Sequence, residues 1–390
     1  MNNQVRVGLF SFFSGAGFLD LGFEKTSGYE VLFVNEYHKP FLEIYKSSRQ
    51  SLKHSRPQMG YNDDDICSFL KGKKANFLNE NTQDAKRVYD FVGYIGGPPC
   101  PDFSVGGKNK GSTGENGKLS RVYFDLIINN QPDFFLFENV KGLYRTKKHR
   151  EFFEEMKLNL ITGGYKLTEK VINAIEFGAP QDRERIILIG FREEKLQEVG
   201  AELGETPFLN DFDWNSRIKY SAEEIIKKPW PTQDAFKENE SLMAPPGIIK
   251  KLTVEHWFRK NDVDNHPNAQ HYFQPRAGLP KFQIIDEGDD LKKSYKRLHR
   301  WRYSPTAAYG NNEVHLHPYK ARRLSAAEAL ALQSLPKEFV IPPDMTLSNM
   351  FKTIGNGVPF LAAKGLAGTI FDYIKKINQP QPIYEKTISE

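Results

Sequence analysis

Short apolar runs alternate with amphipathic segments along the first half of the chain. The apolar runs predict strands over residues 6–12, 29–35, 89–95, 133–137, 166–172 and 185–190. Apolar positions at helical spacing predict helices over residues 18–25, 39–48, 123–130 and 150–162. Such alternation of strands and helices is typical of an α/β fold with a mostly parallel, doubly wound sheet.

The alternation stops after Phe191. Residues 193–318 are richer in Pro, Trp, His and charge, which predicts a second, smaller domain inserted late in the chain. A helical pattern resumes over 322–336, and a Gly-Asn-Gly turn and an apolar helix over 359–374 follow it. We therefore expect a first domain over 1–192, an inserted domain over 193–318, a part over 319–376 that completes the first domain, and a loose tail over 377–390.

Composition narrows the class of protein. The net charge of +5 permits a polyanionic partner without requiring one. Only two cysteines occur, so no disulfide partner is expected. No apolar stretch of about 18 residues occurs, and the N-terminus lacks a basic segment before an apolar one. We therefore expect a cytoplasmic protein without a membrane span, whose first apolar run is a strand.

A single thiol lies in an unusually stiff setting. Cys100 belongs to the run GGPPCPDFS, directly after a predicted strand. Pro98 and Pro99 restrict the backbone, whereas Gly96 and Gly97 allow close approach. An exposed thiol held in this way suits covalent catalysis. The alternative is a buried cysteine with a structural role.

A glycine turn follows the first predicted strand in FFSGAGFLDLGFE, residues 12–24. Gly15 and Gly17 allow a tight turn against a cofactor, but Asp20 takes the place of the third glycine of the dinucleotide motif. Glu36 ends the second predicted strand, where an acid commonly binds ribose hydroxyls. The pattern favours an adenosine-containing cofactor over the alternative of a purely structural turn.

Two further motifs carry charged groups. Glu138 ends an apolar strand, where desolvation favours the neutral carboxyl that could donate to a heterocyclic nitrogen. Arg183 and Arg185 have strand spacing, which would place two guanidinium groups on one side, suited to a phosphate or a base carbonyl. Alternatively, Glu138 caps a helix, and Arg183 and Arg185 belong to a solvated charge cluster with Asp182 and Glu184.

Residues 292–303 combine six Lys or Arg with three aromatic residues and no acid. This pattern indicates a nucleic-acid surface or, alternatively, a solvated face. His315 and His317 could share a ligand, but no Cys or acidic partner stands at metal-site spacing, so no metal site is expected.

Together these motifs resemble the DNA cytosine-5 methyltransferase family, in order and in spacing. The resemblance covers about residues 8–192 and 320–375. Its motifs are Phe13-x-Gly15-x-Gly17, Pro98-Pro99-Cys100, Glu138-Asn139-Val140, Gln181-x-Arg183-x-Arg185, Arg323-Leu324 to Glu328 with Gln333 to Pro336, and Gly355-Asn356-x-Val358. The sequence departs from the family pattern at Asp64, where a glycine is usual, and at Pro101 and Asp102 after the cysteine.

The resemblance implies a Rossmann-like S-adenosylmethionine-dependent methyltransferase sheet with a smaller inserted target-recognition domain. It implies methyl transfer to C5 of a flipped-out cytosine, with S-adenosylhomocysteine as the product. The implied catalytic residues are Cys100, Glu138, Arg183 and Arg185. The implied cofactor-binding residues are Phe13, Gly15, Gly17, Glu36, Tyr37, Asp65, Ile66, Pro98, Leu119, Asn356 and Val358. The expected DNA contacts are Ser104, Arg297, Arg300 and Arg302.

The implied partner is double-stranded DNA, read by a monomer of the bacterial restriction-modification type, with a restriction endonuclease acting on the same site. Two alternatives stay open: a tRNA cytosine-5 methyltransferase of the same fold, and a catalytically silent DNA-binding homologue. The first usually carries a Cys-Phe-Thr triplet, and this chain has no cysteine after Cys100. Against the second, Cys100, Glu138 and Arg185 are all present. The glycine spacing disfavours a dinucleotide oxidoreductase.

Overall fold

A seven-stranded sheet in the order β3-β2-β1-β4-β5-β7-β6 organises the molecule. The computed structural model describes residues 5–99, 115–144, 146–291, 294–307, 309 and 314–378. The strands are β1 (Val7–Phe12), β2 (Tyr29–Asn35), β3 (Tyr61–Asn62), β4 (Phe91–Gly96), β5 (Phe134–Val140), β6 (Tyr165–Asn173) and β7 (Glu184–Arg192). The prediction of an α/β fold is confirmed.

The strand directions bring several strand ends together at one edge of the sheet. β1 pairs in parallel with β2 and β4, and β4 pairs in parallel with β5. β7 runs antiparallel between β5 and β6, with Arg185 opposite Val140. The carboxyl ends of β1, β2, β4 and β5 therefore meet the beginning of β7. Parallel α/β sheets bind ligands at this edge.

Helices cover both faces of the sheet because successive strand residues point to opposite sides. They are α1 (Phe18–Glu24), α2 (Lys39–Ser51), α3 (Gly72–Val88), α4 (Glu115–Asn130) and α5 (Lys147–Thr162). Leu9 packs with α1 and α2 on one face, and Phe10 packs with α3, α4 and α5 on the other. α3 is absent from the sequence-based predictions because it buries only the narrow stripe Leu78, Thr82 and Ala85.

The described residues within 193–318 contain little regular structure. They form α6 (Glu193–Glu198), α7 (Ala222–Lys227), α8 (Val254–Lys260), α9 (Leu279–Phe282) and the short parallel pair β8 (Lys296–Arg297) and β9 (His315–Leu316). Trp257, Phe258 and Leu298 pack against Leu324 and Leu332 of the following segment. The boundaries of an inserted domain remain a prediction.

Three helices complete the fold: α10 (Ala326–Leu332), α11 (Leu347–Asn356) and α12 (Phe360–Ile377). α10 is shorter than its sequence pattern predicted, because Ser325 and Glu328 form a capping box that begins the helix. The predicted Gly-Asn-Gly turn is instead the end of α11. α12 returns to the sheet and packs with α1 on the same face. None of the described helices is both long and apolar enough to cross a membrane.

Candidate active site

The glycine turn lies between β1 and α1, at the edge where the strand ends meet. Phe13, Gly15 and Gly17 all have positive φ angles, of 51°, 56° and 75°. A Cβ added to Gly15 would meet no atom within 4 Å, whereas one added to Gly17 would lie 2.4 Å from the ring of Tyr45. Gly15 therefore borders open space, and Gly17 is required by close packing.

Glu36 closes this turn from the end of β2. Its carboxylate accepts hydrogen bonds from the backbone N–H of Gly15 at 2.8 Å and of His38 at 2.7 Å. Burial raises the pKa of Glu36, and the two hydrogen bonds oppose that rise. Tyr37, the next residue, has 70% of its surface exposed. The structure thus places Glu36 and Tyr37 beside the turn, and a ribose contact remains a prediction.

A buried polar network supports the turn from beneath. The Asp20 carboxyl accepts hydrogen bonds from the hydroxyls of Ser11 and Tyr45, each at 2.8 Å. The Arg49 guanidinium donates to the carbonyl of Gly17 at 2.7 Å and pairs with Glu24. Sequence reasoning missed this network, although an acid inside the apolar helix α1 was a signal for it.

Asp65 and Ile66 lie near the end of β2 because Asn35 ties their segment to that strand. The Asn35 amide donates to the Asn62 side chain at 3.0 Å and to the Asp64 carbonyl at 2.9 Å. Asp65 is exposed and caps a short 3-10 helix over Ile66–Leu70, whereas Ile66 is buried. An exposed carboxylate beside a buried apolar residue suits the predicted contact with an adenine.

The remaining predicted cofactor residues lie on both sides of the sheet edge. Phe13 and Leu119 are half-buried against the same core, and the Phe13 ring lies 6.2 Å from that of Tyr123. Val358 is buried in the opposite core, and Asn356 is exposed at the end of α11. Phe13 and Leu119 thus pack against one core and Val358 belongs to the other, and a contact of each with a cofactor remains a prediction.

Glu138 and Arg185 form an ion pair where β5 and β7 meet. The Arg185 Nε lies 3.0 Å from Glu138 Oε1, and both side chains are largely buried. A Cβ on Gly97 would lie 2.8 Å from the other Glu138 oxygen, so the glycine leaves room for the carboxylate. The Asn139 amide donates to the carbonyl of the buried Pro98 at 3.5 Å. The Pro-Pro segment and the carboxylate are thus adjacent.

Arg183 does not share this position. Its guanidinium donates to the backbone carbonyls of Ala307 at 3.1 Å and Gly355 at 2.9 Å. Burial and the neighbouring charge of Arg185 lower the pKa of Arg183. The expectation that both arginines face a phosphate or base therefore needs correction: Arg183 holds backbone instead.

Cys100 and Ser104 lie outside the described residues, as do Pro101 and Asp102. The nucleophile role of Cys100 and the DNA contact of Ser104 therefore remain predictions.

The expected DNA contacts Arg297 and Arg300 are also corrected. Arg297 is fully buried, and its guanidinium donates to the carbonyls of Ile285, His317, Lys320 and Phe282. This burial lowers its pKa to about 10. Arg300 is buried in a bidentate pair with Glu287. Neither guanidinium is available to a duplex in this structure.

Arg302 is the partly exposed member of the predicted set. Its guanidinium lies 3.8 Å from the Asp290 carboxylate and 5.4 Å from the centre of the Tyr303 ring. A contact between Arg302 and DNA therefore remains a prediction.

Comparison with known proteins gives a family match. The model of a family described as C-5 cytosine-specific DNA methylase matches residues 7–372. The Type II methyltransferase M.NmeDI of Neisseria meningitidis serogroup C is 60% identical over 94% of this chain and 84% of its own length. The Type II methyltransferase M.FnuDI of Fusobacterium nucleatum is 28% identical over 93% of this chain and 95% of its own.

Solved structures share the fold at lower identity. A prophage-encoded E. coli protein described as a DNA modification methyltransferase superposes with a TM-score of 0.63 at 20% identity, over 95% of this chain and 99% of its own. The Dnmt2 methyltransferase of S. pombe superposes with a TM-score of 0.55 at 14% identity, over 96% and 100%. At these identities the likeness shows the fold alone.

Proposed function

The chain belongs to the C-5 cytosine-specific DNA methylase family, and from that premise we propose that it methylates C5 of a cytosine flipped out of a specific duplex DNA site. The observation that carries the proposal is the Glu138–Arg185 pair, at 3.0 Å, on the same sheet edge as the Gly15 turn. A carboxyl and a guanidinium together match the N3 and O2 edge of cytosine. A base within a duplex cannot reach such a recess, so it must leave the stack.

The turn fits S-adenosylmethionine as the methyl donor. Gly15 borders open space, and the Glu36 carboxylate beside it keeps lone pairs for ribose hydroxyls. Asp65 and Ile66 would hold the adenine, and Phe13, Gly17, Tyr37, Pro98, Leu119, Asn356 and Val358 would complete the site. When bound, the cofactor supplies a methyl group on a positively charged sulfur.

Cys100 would begin the chemistry as a nucleophile. Its thiolate adds to C6, so a C6–S bond forms and the electron pair of the C5=C6 bond becomes available at C5. The bound cofactor would supply the methyl group that this electron pair binds, and S-adenosylhomocysteine would be the product. A base removes the C5 proton, the C5=C6 bond forms again, and the C6–S bond breaks to release the thiolate.

Glu138 and Arg185 would act on the base during these steps. As the base enters, the Glu138 carboxylate takes up a proton from solvent, donates it to N3 while negative charge develops on the ring, and recovers it when the ring becomes aromatic again. Arg185 stabilises charge at O2. Their mutual ion pair keeps both groups oriented before the base arrives, which lowers the reorganisation needed during reaction.

The biological setting is proposed from the relatives. The relative at 60% identity is named as a Type II methyltransferase. We infer that this chain acts as a cytoplasmic monomer and protects its site from a restriction endonuclease that cuts the same sequence. Bisulfite sequencing of a plasmid methylated in vitro would identify the site and the modified base together.

The covalent step is tested by replacing the thiol. Cys100→Ala should lose methyl transfer to duplex DNA by at least about a thousandfold and still bind S-adenosylmethionine. A duplex with 5-fluorocytosine at the target should trap the wild-type protein covalently, because fluorine at C5 cannot leave as a proton does. Cys67→Ala is the matched control and should still be trapped. Transfer by Cys100→Ala near the wild-type rate would refute the covalent mechanism.

Glu138→Gln tests, in the same methyl-transfer assay, whether the acidic proton of Glu138 is needed or only the size of its side chain. Glutamine keeps the size of the side chain but cannot supply a proton to N3, so turnover should fall by about 10²- to 10⁴-fold. Unchanged turnover would reduce Glu138 to a structural role.

A further inference from the structure

Arg183 lies where three distant parts of the chain meet. Its two terminal nitrogens donate to Ala307, 124 residues away, and to Gly355, 172 residues away. Ala307 ends the bridging segment (residues 303–307), which lies within the predicted recognition region (residues 193–318). Gly355 begins the Gly355-Asn356-x-Val358 motif proposed to hold the cofactor. One guanidinium thus connects the start of β7 with both regions.

The bridging segment is fastened to the residues that precede β7. Ser304 donates to the Pro180 carbonyl at 2.8 Å and accepts from the Asp182 N–H at 2.9 Å. The Thr306 hydroxyl donates to the Asp182 carbonyl at 2.6 Å. The Ala307 N–H donates to the Gln181 side chain at 3.1 Å. The segment therefore moves with the residues that carry Arg183.

The Gly355-Asn356-x-Val358 motif is also closely packed against residues other than Arg183. A Cβ on Gly355 would lie 2.9 Å from the Tyr309 nitrogen, so these two backbones touch. The fully buried Gln333 donates to the Ile354 carbonyl, and Gln181 donates to the Leu332 carbonyl at 3.2 Å. In a close-packed junction of this kind, a shift of Gly355 displaces its neighbours.

Stability alone does not account for a guanidinium at this place. Arg183 is 2% exposed, the direct acceptors of its terminal nitrogens are neutral carbonyls, and its Nε has no hydrogen-bond partner among the described residues. A buried charge is costly, and a well-packed apolar side chain of similar volume is often at least as stabilising. What an apolar side chain could not do is hold two carbonyls of separate segments at a defined distance.

We propose that Arg183 is a positioning residue that couples occupancy of the cofactor site to recognition of DNA. A cofactor held at the Gly355-Asn356 end of α11 fixes the Gly355 carbonyl, which fixes the guanidinium and through it the Ala307 carbonyl and the bridging segment. The proposal rests on the proposed function, since it requires that the chain bind both ligands. Coupling between two sites is reciprocal, so DNA should tighten cofactor binding by the same factor.

The test compares Arg183→Lys with the wild-type protein. Binding of the cognate duplex is measured by fluorescence anisotropy with and without S-adenosylhomocysteine, which prevents turnover. In the wild type the added product should tighten DNA binding by about tenfold, within the usual range of coupling factors. Lysine keeps the charge but cannot span both carbonyls, so the factor should fall at least about fivefold, towards one. A purely structural role would weaken both affinities and leave their coupling factor unchanged, and that result overturns the proposal.

Arg217→Lys is the matched control. Arg217 also joins two distant segments, through its bidentate pair with Asp372, but lies away from the junction. Its substitution should leave the coupling factor unchanged, and an equal loss of coupling would show that any loosened segment has this effect.

If Arg183→Lys does not fold, hydrogen exchange on the wild-type protein tests whether the cofactor site is coupled to the bridging segment. S-adenosylhomocysteine alone should slow amide exchange at Ser304 and Ala307, and unchanged exchange there overturns the proposal. A wild-type protein that bound neither ligand would instead overturn the proposed function. A wild-type protein that bound DNA and S-adenosylhomocysteine independently of each other would overturn the proposed coupling but not the proposed function.

Discussion

Several side chains at this site hold other groups in place rather than face a ligand. Glu36 binds two backbone N–H groups, Arg183 binds two carbonyls, and Arg49 binds the carbonyl of Gly17. Sequence motifs marked Glu36 and Arg183 as functional, but a motif does not distinguish a residue that touches the substrate from one that positions its neighbour. The acceptors of Arg183 are more than a hundred residues away, so local spacing carried no sign of them.

The buried carboxyl beneath the turn gives a pH-dependent prediction. Burial raises the pKa of Asp20 from 3.8 to about 6, against the opposing charge of Arg49. A folded-state pKa above the unfolded value means that the native state retains the proton longer, so this stabilising contribution is complete below about pH 4 and is lost as pH rises through 6. Over the whole pH range, this difference in pKa corresponds to about 3 kcal/mol in the free energy of unfolding.

Asp20→Asn removes that titration while keeping the size of the side chain. Relative to the wild type, the variant should gain about 2 kcal/mol in free energy of unfolding between pH 4 and pH 7. Urea unfolding at several pH values measures the difference, and Asp344→Asn, at an exposed acid in the turn before α11, serves as the control. A constant difference between variant and wild type across that range would show that Asp20 does not titrate there.

At the scale of elements, the sequence predicted the strands that end at the site better than it predicted the helices around them. β1, β2, β4 and β5 each contain a continuous buried run, and Asn35 and Gly96 end two of them, so the predicted ends lie within three residues of the observed ones. α3 was missed because its exposed surface dominates its composition. The antiparallel direction of β7 was also not predicted, since an apolar run does not show which way a strand enters a sheet.

The two glycines of the turn should respond differently to the same substitution. Gly15→Ala places a methyl group in open space beside Glu36, at a positive φ that costs about 1 kcal/mol. It should lower affinity for S-adenosylmethionine by roughly tenfold or more, equivalent to about 1.4 kcal/mol, with only this small loss of stability.

Gly17→Ala should instead destabilise the fold. Its methyl group would lie 2.4 Å from the Tyr45 ring, so about 1–3 kcal/mol of overpacking adds to the backbone strain. Thermal unfolding and cofactor titration of both variants separate the two effects. Equal losses of stability would mean that the turn does not have one open and one packed glycine.

For the whole molecule, the sequence predicted the strands around the Gly15 turn and Glu138 better than it predicted which basic residues are exposed. Residues 292–303 are basic and aromatic, yet Arg297 and Arg300 are buried among carbonyls and against Glu287. Composition describes a segment's charge but not whether distant carbonyls surround it. The surface that contacts a duplex must therefore be sought among exposed cations near the sheet edge that carries Glu138.

The first turn of α5 carries such exposed cations. Positive charges at a helix N-terminus destabilise the helix. Lys147, Lys148 and Arg150 are exposed there, no acid shares the turn, and β5 with Glu138 precedes it in the chain. Cations at a helix N-terminus oppose its dipole, at about 0.3–1 kcal/mol each, so a role outside the fold would explain them. If DNA phosphates meet this turn, each cation contributes to affinity without regard to sequence.

Lys148→Gln and Arg150→Gln should therefore weaken DNA binding while leaving the melting temperature equal or slightly higher. Each change should weaken binding to all duplexes alike and reduce the log–log salt slope by roughly 1. Lys375→Gln is the matched control, because α12 begins beside the cofactor motif and Lys375 lies about 22 Å further along that helix. That control loses the same charge and should keep the wild-type slope. Unaltered slopes for both α5 variants would mean that this turn is a solvated face, whereas a matching decrease in the control would show that only net charge matters.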